Sequence, residues 1–121
     1  MNDVEYTPAV VEQKMRRLMN EMYFQYKEDV KNREALRKAK HALKRADSDK
    51  KVELGGEGTV SEREALVFLA TEKEQIAFDI AQVEFDNGIE YMRVLEKQLS
   101  ALQSIGSSVR QAYSAVGVVE S

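Results

Sequence analysis

From Phe78 onward the chain carries a heptad seam that no charged residue interrupts for six repeats. With Phe78 as position a, that position reads Phe78, Phe85, Met92, Leu99, Gly106 and Tyr113; position d reads Ala81, Gly88, Leu95, Leu102, Val109 and Val116. A repeat of this period predicts an α-helix that lays one stripe against a partner helix in coiled-coil fashion. A second stripe, Leu66, Leu69, Ile76, Ile80 and Val83, lies well around the cylinder at ~100° per residue. The two stripes cover more than half the circumference, whereas a helix in a simple hairpin buries only one.

The other half of the chain also reads as helix. Its one Pro follows a Thr, and Thr7-Pro8 supplies an N-cap hydroxyl and a first helical residue whose missing N–H costs nothing. No Gly or Pro follows until Gly55, and the stretch is rich in Ala, Leu, Met, Glu, Lys and Arg. The spacing predicts a helix over 8–47, with Asp47-Ser48-Asp49 as its stop. Its apolar stripe steps through Val11, Met15, Leu18, Met22, Tyr26 and Val30, then Leu36, Ala39, Leu43 and Ala46. Residues 48–60 contain Gly55, Gly56 and Gly58 and read as a loop, with room for a short extended piece at Lys51–Leu54. Thr59-x-x-Glu62 and Ser61-x-x-Glu64 both fit a capping box. Ser61 is the expected N-cap, since Glu62 and Glu64 then occupy the positive first turn. The second helix is expected over 61–105, with Gly106-Ser107-Ser108 weakening it and 106–121 forming a short helical extension, whose residues 109–116 are either helical again or continuous with the second helix.

The expected fold is therefore all-α: one domain over 1–121, two long antiparallel helices in a coiled-coil-like hairpin with a Gly-rich loop. If the turn centres near residue 54, Val30 opposes Phe78, Met22 opposes Phe85 and Met15 opposes Met92. Two helices cannot enclose a sizeable core. The unused stripe, the aromatic rings at 22–26 and the tail make a large apolar patch, which on a soluble chain marks an interface. The expectation is a homo-oligomer, or a complex with an obligate protein partner. Its interface residues are Tyr23, Phe24, Leu69, Ile76, Ile80, Val83, Leu102, Ile105, Val109 and Tyr113.

Charge supplies the second functional expectation. The net charge is −3, yet residues 31–51 hold nine Lys or Arg against three acids, a local +6. Arg33, Arg37, Lys40 and Lys44 fall at i, i+4, i+7 and i+11, with Arg45 beside them. Such a basic face grips phosphates by counterion release, without sequence specificity. The alternative is thus a nucleic-acid-associated accessory protein, of the compact, motif-free kind that phages encode for DNA replication or recombination. No aromatics interleave the basic residues for base stacking.

Chemistry is not expected. His41 is the one histidine, set among Arg37, Lys38, Lys44 and Arg45, whose charges disfavour a metal; a Ser-His-Asp triad has no support. Pairs such as Asp86 with Glu90 lack the Glu-x-x-His motif of a dimetal site. Asp47-x-Asp49 lacks the third acidic ligand and the Gly at position six of a calcium loop. Gly55-Gly56-Glu57-Gly58-Thr59 has no Gly-Lys-Ser/Thr ending. No enzyme activity, metal, cofactor or small-molecule substrate is expected. No apolar run approaches the ~20 residues that span a bilayer. Met1-Asn2-Asp3-Val4-Glu5 does not open like a secretory signal, and the chain has no Cys, so a cytoplasmic location is expected.

Overall fold

The structure is a computed structural model and describes residues 6–116. It is all-helical, with no strand among the described residues: α1 (Pro8–Leu54), α2 (Val60–Ala70) and α3 (Glu72–Ala115). The chain forms two compact units, one built from Met1–Lys27 and Glu90–Ser121, the other from Glu28–Ile89.

α1 begins where the Thr-Pro pair predicts. The Thr7 hydroxyl accepts from the N–H of Val10 at 3.2 Å, and the Thr7 carbonyl accepts from Val11 at 3.0 Å. The expected stop at 47–49 is overturned. α1 continues to Leu54, carried by ion pairs one turn apart, Lys51–Asp47 at 3.4 Å and Lys50–Glu53 at 3.2 Å. No extended piece forms at Lys51–Leu54. The helix ends at Gly55, whose φ of +60° is cheap only without a Cβ, and whose N–H donates to the carbonyls of Lys51 and Val52. The loop is thereby shorter than the expected 48–60.

The N-cap of α2 is Thr59, not Ser61. Its side chain accepts from the N–H of Glu62, and the Glu62 carboxylate accepts from the Thr59 N–H, a complete capping box. Arg63 braces the same turn, donating to the carbonyls of Gly58 at 2.8 Å and Gly56 at 3.3 Å. Replacing Thr59 by Ala leaves the Glu62 N–H without its acceptor. The variant is expected to lose about 1 kcal/mol of stability, read from thermal unfolding followed by circular dichroism. An unchanged transition would show that Arg63 alone holds the turn.

The expected helix over 61–105 is interrupted at Thr71 and extends further at its end. Thr71, only 1% exposed, turns its hydroxyl back onto the Val67 carbonyl at 2.8 Å. The Gln75 side-chain amide donates to Thr71 Oγ1 and to the Phe68 carbonyl. The Val67 carbonyl also keeps the Thr71 N–H at 3.0 Å, so the side-chain bonds add to the backbone ladder at a residue whose φ and ψ of −107° and 14° leave the helical region. At the other end α3 runs through Gly106-Ser107-Ser108 to Ala115. Gly106 is buried there, against Val11. The weakness inferred for Gly and Ser is offset by packing. Residues 117–121 of the expected extension lie outside the described residues.

In the first unit, Leu95 is 1% exposed and Val11 4%. Tyr91 Oη donates to Glu21 Oε2 at 3.2 Å; the Glu21 carboxylate, by its charge and then by this bond, pushes the Tyr91 pKa up. In the second unit Val67, Thr71, Ala81 and Gly88 are buried, all at seam positions. Glu74, at the next d position before Ala81, keeps Oε2 buried with no hydrogen-bond partner among the described residues.

The buried stripe of α1 also differs from expectation. Tyr26 and Val30 are 61% and 45% exposed, while Gln25, Asp29 and Asn32 turn inward, Asp29 to 6% exposure. The reason is phase. Val11, Met15, Leu18 and Met22 join Leu36, Ala39, Leu43 and Ala46 in one three-four rhythm only through 25, 29 and 32. Stepping through 26 and 30 would put the two apolar ends on different faces.

Candidate functional site

Two outward surfaces stand out in the second unit. The first lies on α2 and α3. Leu66, Leu69, Ile76, Ile80 and Val83 repeat every three or four residues apart from the gap at Lys73, and all are roughly half to two-thirds exposed. They occupy the side of the helix away from the buried a and d positions, so satisfying the seam leaves them in water. Helix geometry places two different borders beside them. Ala70 and Ala77 form one, low enough for a neighbouring backbone to approach. Glu72, Asp79 and Asp86 form the other, a column of exposed carboxylates at i, i+7 and i+14. Asp86 accepts a bond from Gln82 Nε2 at 3.1 Å.

The second surface is the basic face of α1. Arg37, Lys38, His41, Ala42, Lys44, Arg45 and Ser48 line an open groove along it. Arg37 grips Glu34 through Nε at 3.0 Å and Nη2 at 2.6 Å, which holds the Glu34 carboxyl below the usual range and raises Arg37. Among the described residues Arg33, Lys40, Lys44 and Arg45 have no carboxylate partner, and no ion pair joins the basic face to Glu62, Glu64, Glu72 or Glu74. The known pairs link residues three or four apart in one helix. The basic face is therefore only partly neutralised within the unit, by Glu28, Glu34, Asp47 and Glu53 of α1 itself.

In the first unit the aromatic rings expected at the surface are there. Tyr23 and Phe24 are 59% and 67% exposed, with ring centroids 6.4 Å apart at 59°, and Lys27 Nζ sits 4.6 Å from the Tyr23 centroid. Leu102, Ile105, Val109 and Tyr113 are half-buried. Leu102 and Ile105 line a groove with Tyr6, Lys14, Arg17 and Leu18. The expected interface residues thus fall into separate groups: Leu69, Ile76, Ile80 and Val83 share one outer stripe, Tyr23 and Phe24 share a second surface, and the four tail residues share the packing of the first unit. The i, i+7 interval of Glu72 and Asp79 is legible in the sequence; that Asp86 extends it into one border of the outer stripe follows only once the buried face is known.

Among the described residues no group of His, Asp and Glu is placed to hold a metal ion, and no helix is long and apolar enough to cross a membrane. No family model, curated protein or solved structure matches the chain.

Proposed function

We propose that the protein is a non-enzymatic helical assembly protein, an antiparallel hairpin of coiled-coil type whose outer apolar stripe is held against another helix. The pairing of Val11 with Gly106 and of Glu21 with Tyr91 supports opposed helix directions. The observation that carries the functional reading is the exposed stripe of Leu66, Leu69, Ile76, Ile80 and Val83, continuous in phase and distinct from the seam. Full burial of such a side chain gains about 1.5–3 kcal/mol, so five that are half to two-thirds exposed offer roughly 4–8 kcal/mol. Association itself costs about 4–15 kcal/mol. The stripe alone therefore makes a weak, concentration-dependent contact, and a durable one needs further groups.

The test is the solution mass of the full chain beside the variant I76S/I80S/V83S. Sedimentation equilibrium at micromolar concentration is expected to give the wild type more than a single-chain mass. The variant should fall to a single chain with its helicity retained. A wild-type monomer whose mass and solubility the three substitutions leave alone would end this reading.

A second reading has one observation in its favour. Arg33, Lys40, Lys44 and Arg45, without carboxylate partners, are free to take phosphates, as an accessory protein on DNA would require.

A further inference from the structure

The charges of the second unit are segregated along the chain. Residues 31–51 carry +6, while residues 57–89 hold eight acids against two bases, a local −6. Spacing sharpens this contrast. On the outer side of α1, Arg37, Lys44 and Lys51 fall at i, i+7 and i+14, one column on a helix whose inward phase is fixed by Leu36, Leu43 and Lys50. On α3, Glu72, Asp79 and Asp86 repeat at the same interval, about 10.5 Å between successive charges at 1.5 Å per residue. Each column lies about 100° around the helix from a seam position, so neither is consumed by the seam. Among the described residues no ion pair joins the two columns; Arg37 pairs with Glu34 and Lys51 with Asp47 within α1, exposed pairs that a partner carboxylate has to displace or share, and Lys44 pairs with no carboxylate.

We infer that the partner of the outer stripe is a second copy of this chain, whose Arg37–Lys44–Lys51 column seats on the Glu72–Asp79–Asp86 column. This rests on the assembly reading above and names its occupant. The evenly spaced columns match whichever way the second helix runs. The aliphatic stems of the Arg and Lys side chains cover Ile76, Ile80 and Val83 while their heads reach the carboxylates. Stripe against stripe is disfavoured in the antiparallel sense, because it would bring two carboxylate columns together. The contact joins different surfaces of the two copies, so it either closes as a reciprocal two-fold pair or propagates head to tail.

Two charge-reversed chains test this: E72K/D79K/D86K and R37E/K44E/K51E, all at exposed positions. Each alone is expected to drop to single-chain mass in sedimentation velocity, with unchanged helicity. Mixed one to one they should reassociate, since every contact then pairs opposite columns. The chain carrying all six changes should reassociate by itself. Wild-type mass should fall on raising salt from about 0.1 M to about 1 M, where the Debye length shortens from about 10 Å to about 3 Å.

Triple variants that keep the wild-type mass, or a mixture that stays monomeric, would overturn the inference. If I76S/I80S/V83S still dissociated such an assembly, the stripe reading would stand without the charge columns. A wild type that stays a single chain yet binds DNA at low salt through Arg37 and Lys44 would assign the basic column to nucleic acid instead.

Discussion

Leu95→Ala is expected to lower the unfolding free energy by about 3 kcal/mol, within the roughly 2–5 kcal/mol that Leu→Ala costs in a well-packed core. Leu95 is a d residue of the seam, 1% exposed, and the largest of the fully buried side chains. Removing it forfeits its transfer free energy and leaves a void that two rigid helices cannot easily close. A domain of ordinary stability has about 5–15 kcal/mol in all, so the loss should be plain in urea unfolding followed by circular dichroism at fixed protein concentration. Leu69→Ala is the control. Leu69 is 66% exposed on the outer stripe, and the same deletion there should change single-chain stability by less than about 0.5 kcal/mol while weakening assembly. Equal losses at the two positions would mean that the outer stripe is as deeply packed as the seam, and that the case for an unsatisfied surface fails.

The contrast between these leucines shows what was legible before any coordinates. Helix type followed from composition and from the Thr7-Pro8 start, and the α3 seam followed from a period that polar residues did not break. Asp29 was not legible. Its polarity argued for the surface, and its burial is dictated by the phase linking apolar residues on either side. Thr71 misled for a related reason: a single β-branched hydroxyl residue inside a strong apolar rhythm looks like continuation, whereas its backbone, at φ −107° and ψ 14°, leaves the helical region. The end of α1 lies beyond the expected stop because Asp47, Ser48 and Asp49 favour turns individually, while the ion pairs Asp47–Lys51 and Lys50–Glu53 carry the helix through them. The outer stripe could be read from spacing. Its carboxylate border could not be recognised as a feature until the buried face was fixed, because a column of acids on a helix is ordinarily only a solvated face.

Gly106→Leu is the second substitution with a large expected effect, and here propensity and packing oppose each other. Gly in a helix interior costs about 1 kcal/mol relative to a good helix former, so by propensity alone any side chain at 106 should stabilise α3. The space argues otherwise. A Cβ at Gly106 would stand 3.1 Å from Val11 Cγ1, and Val11 is itself 4% exposed and has little room to retreat. A methyl group requires a shift of a few tenths of an ångström, so Gly106→Ala should come out near neutral. A leucine must place three further carbons in the same region, and overpacking of this kind costs about 1–3 kcal/mol. The net expectation is a loss of about 1–2 kcal/mol despite the better helix former. The decisive measurement is the double variant with Val11→Ala, which vacates the contacting methyls. If the clash is with Val11, the loss from Gly106→Leu should shrink by at least about 0.5 kcal/mol in that background, the lower bound for residues in contact. Strict additivity of the two changes would mean that Gly106 does not meet Val11. The pairing of the start of α1 with the end of α3 would then have to be redrawn.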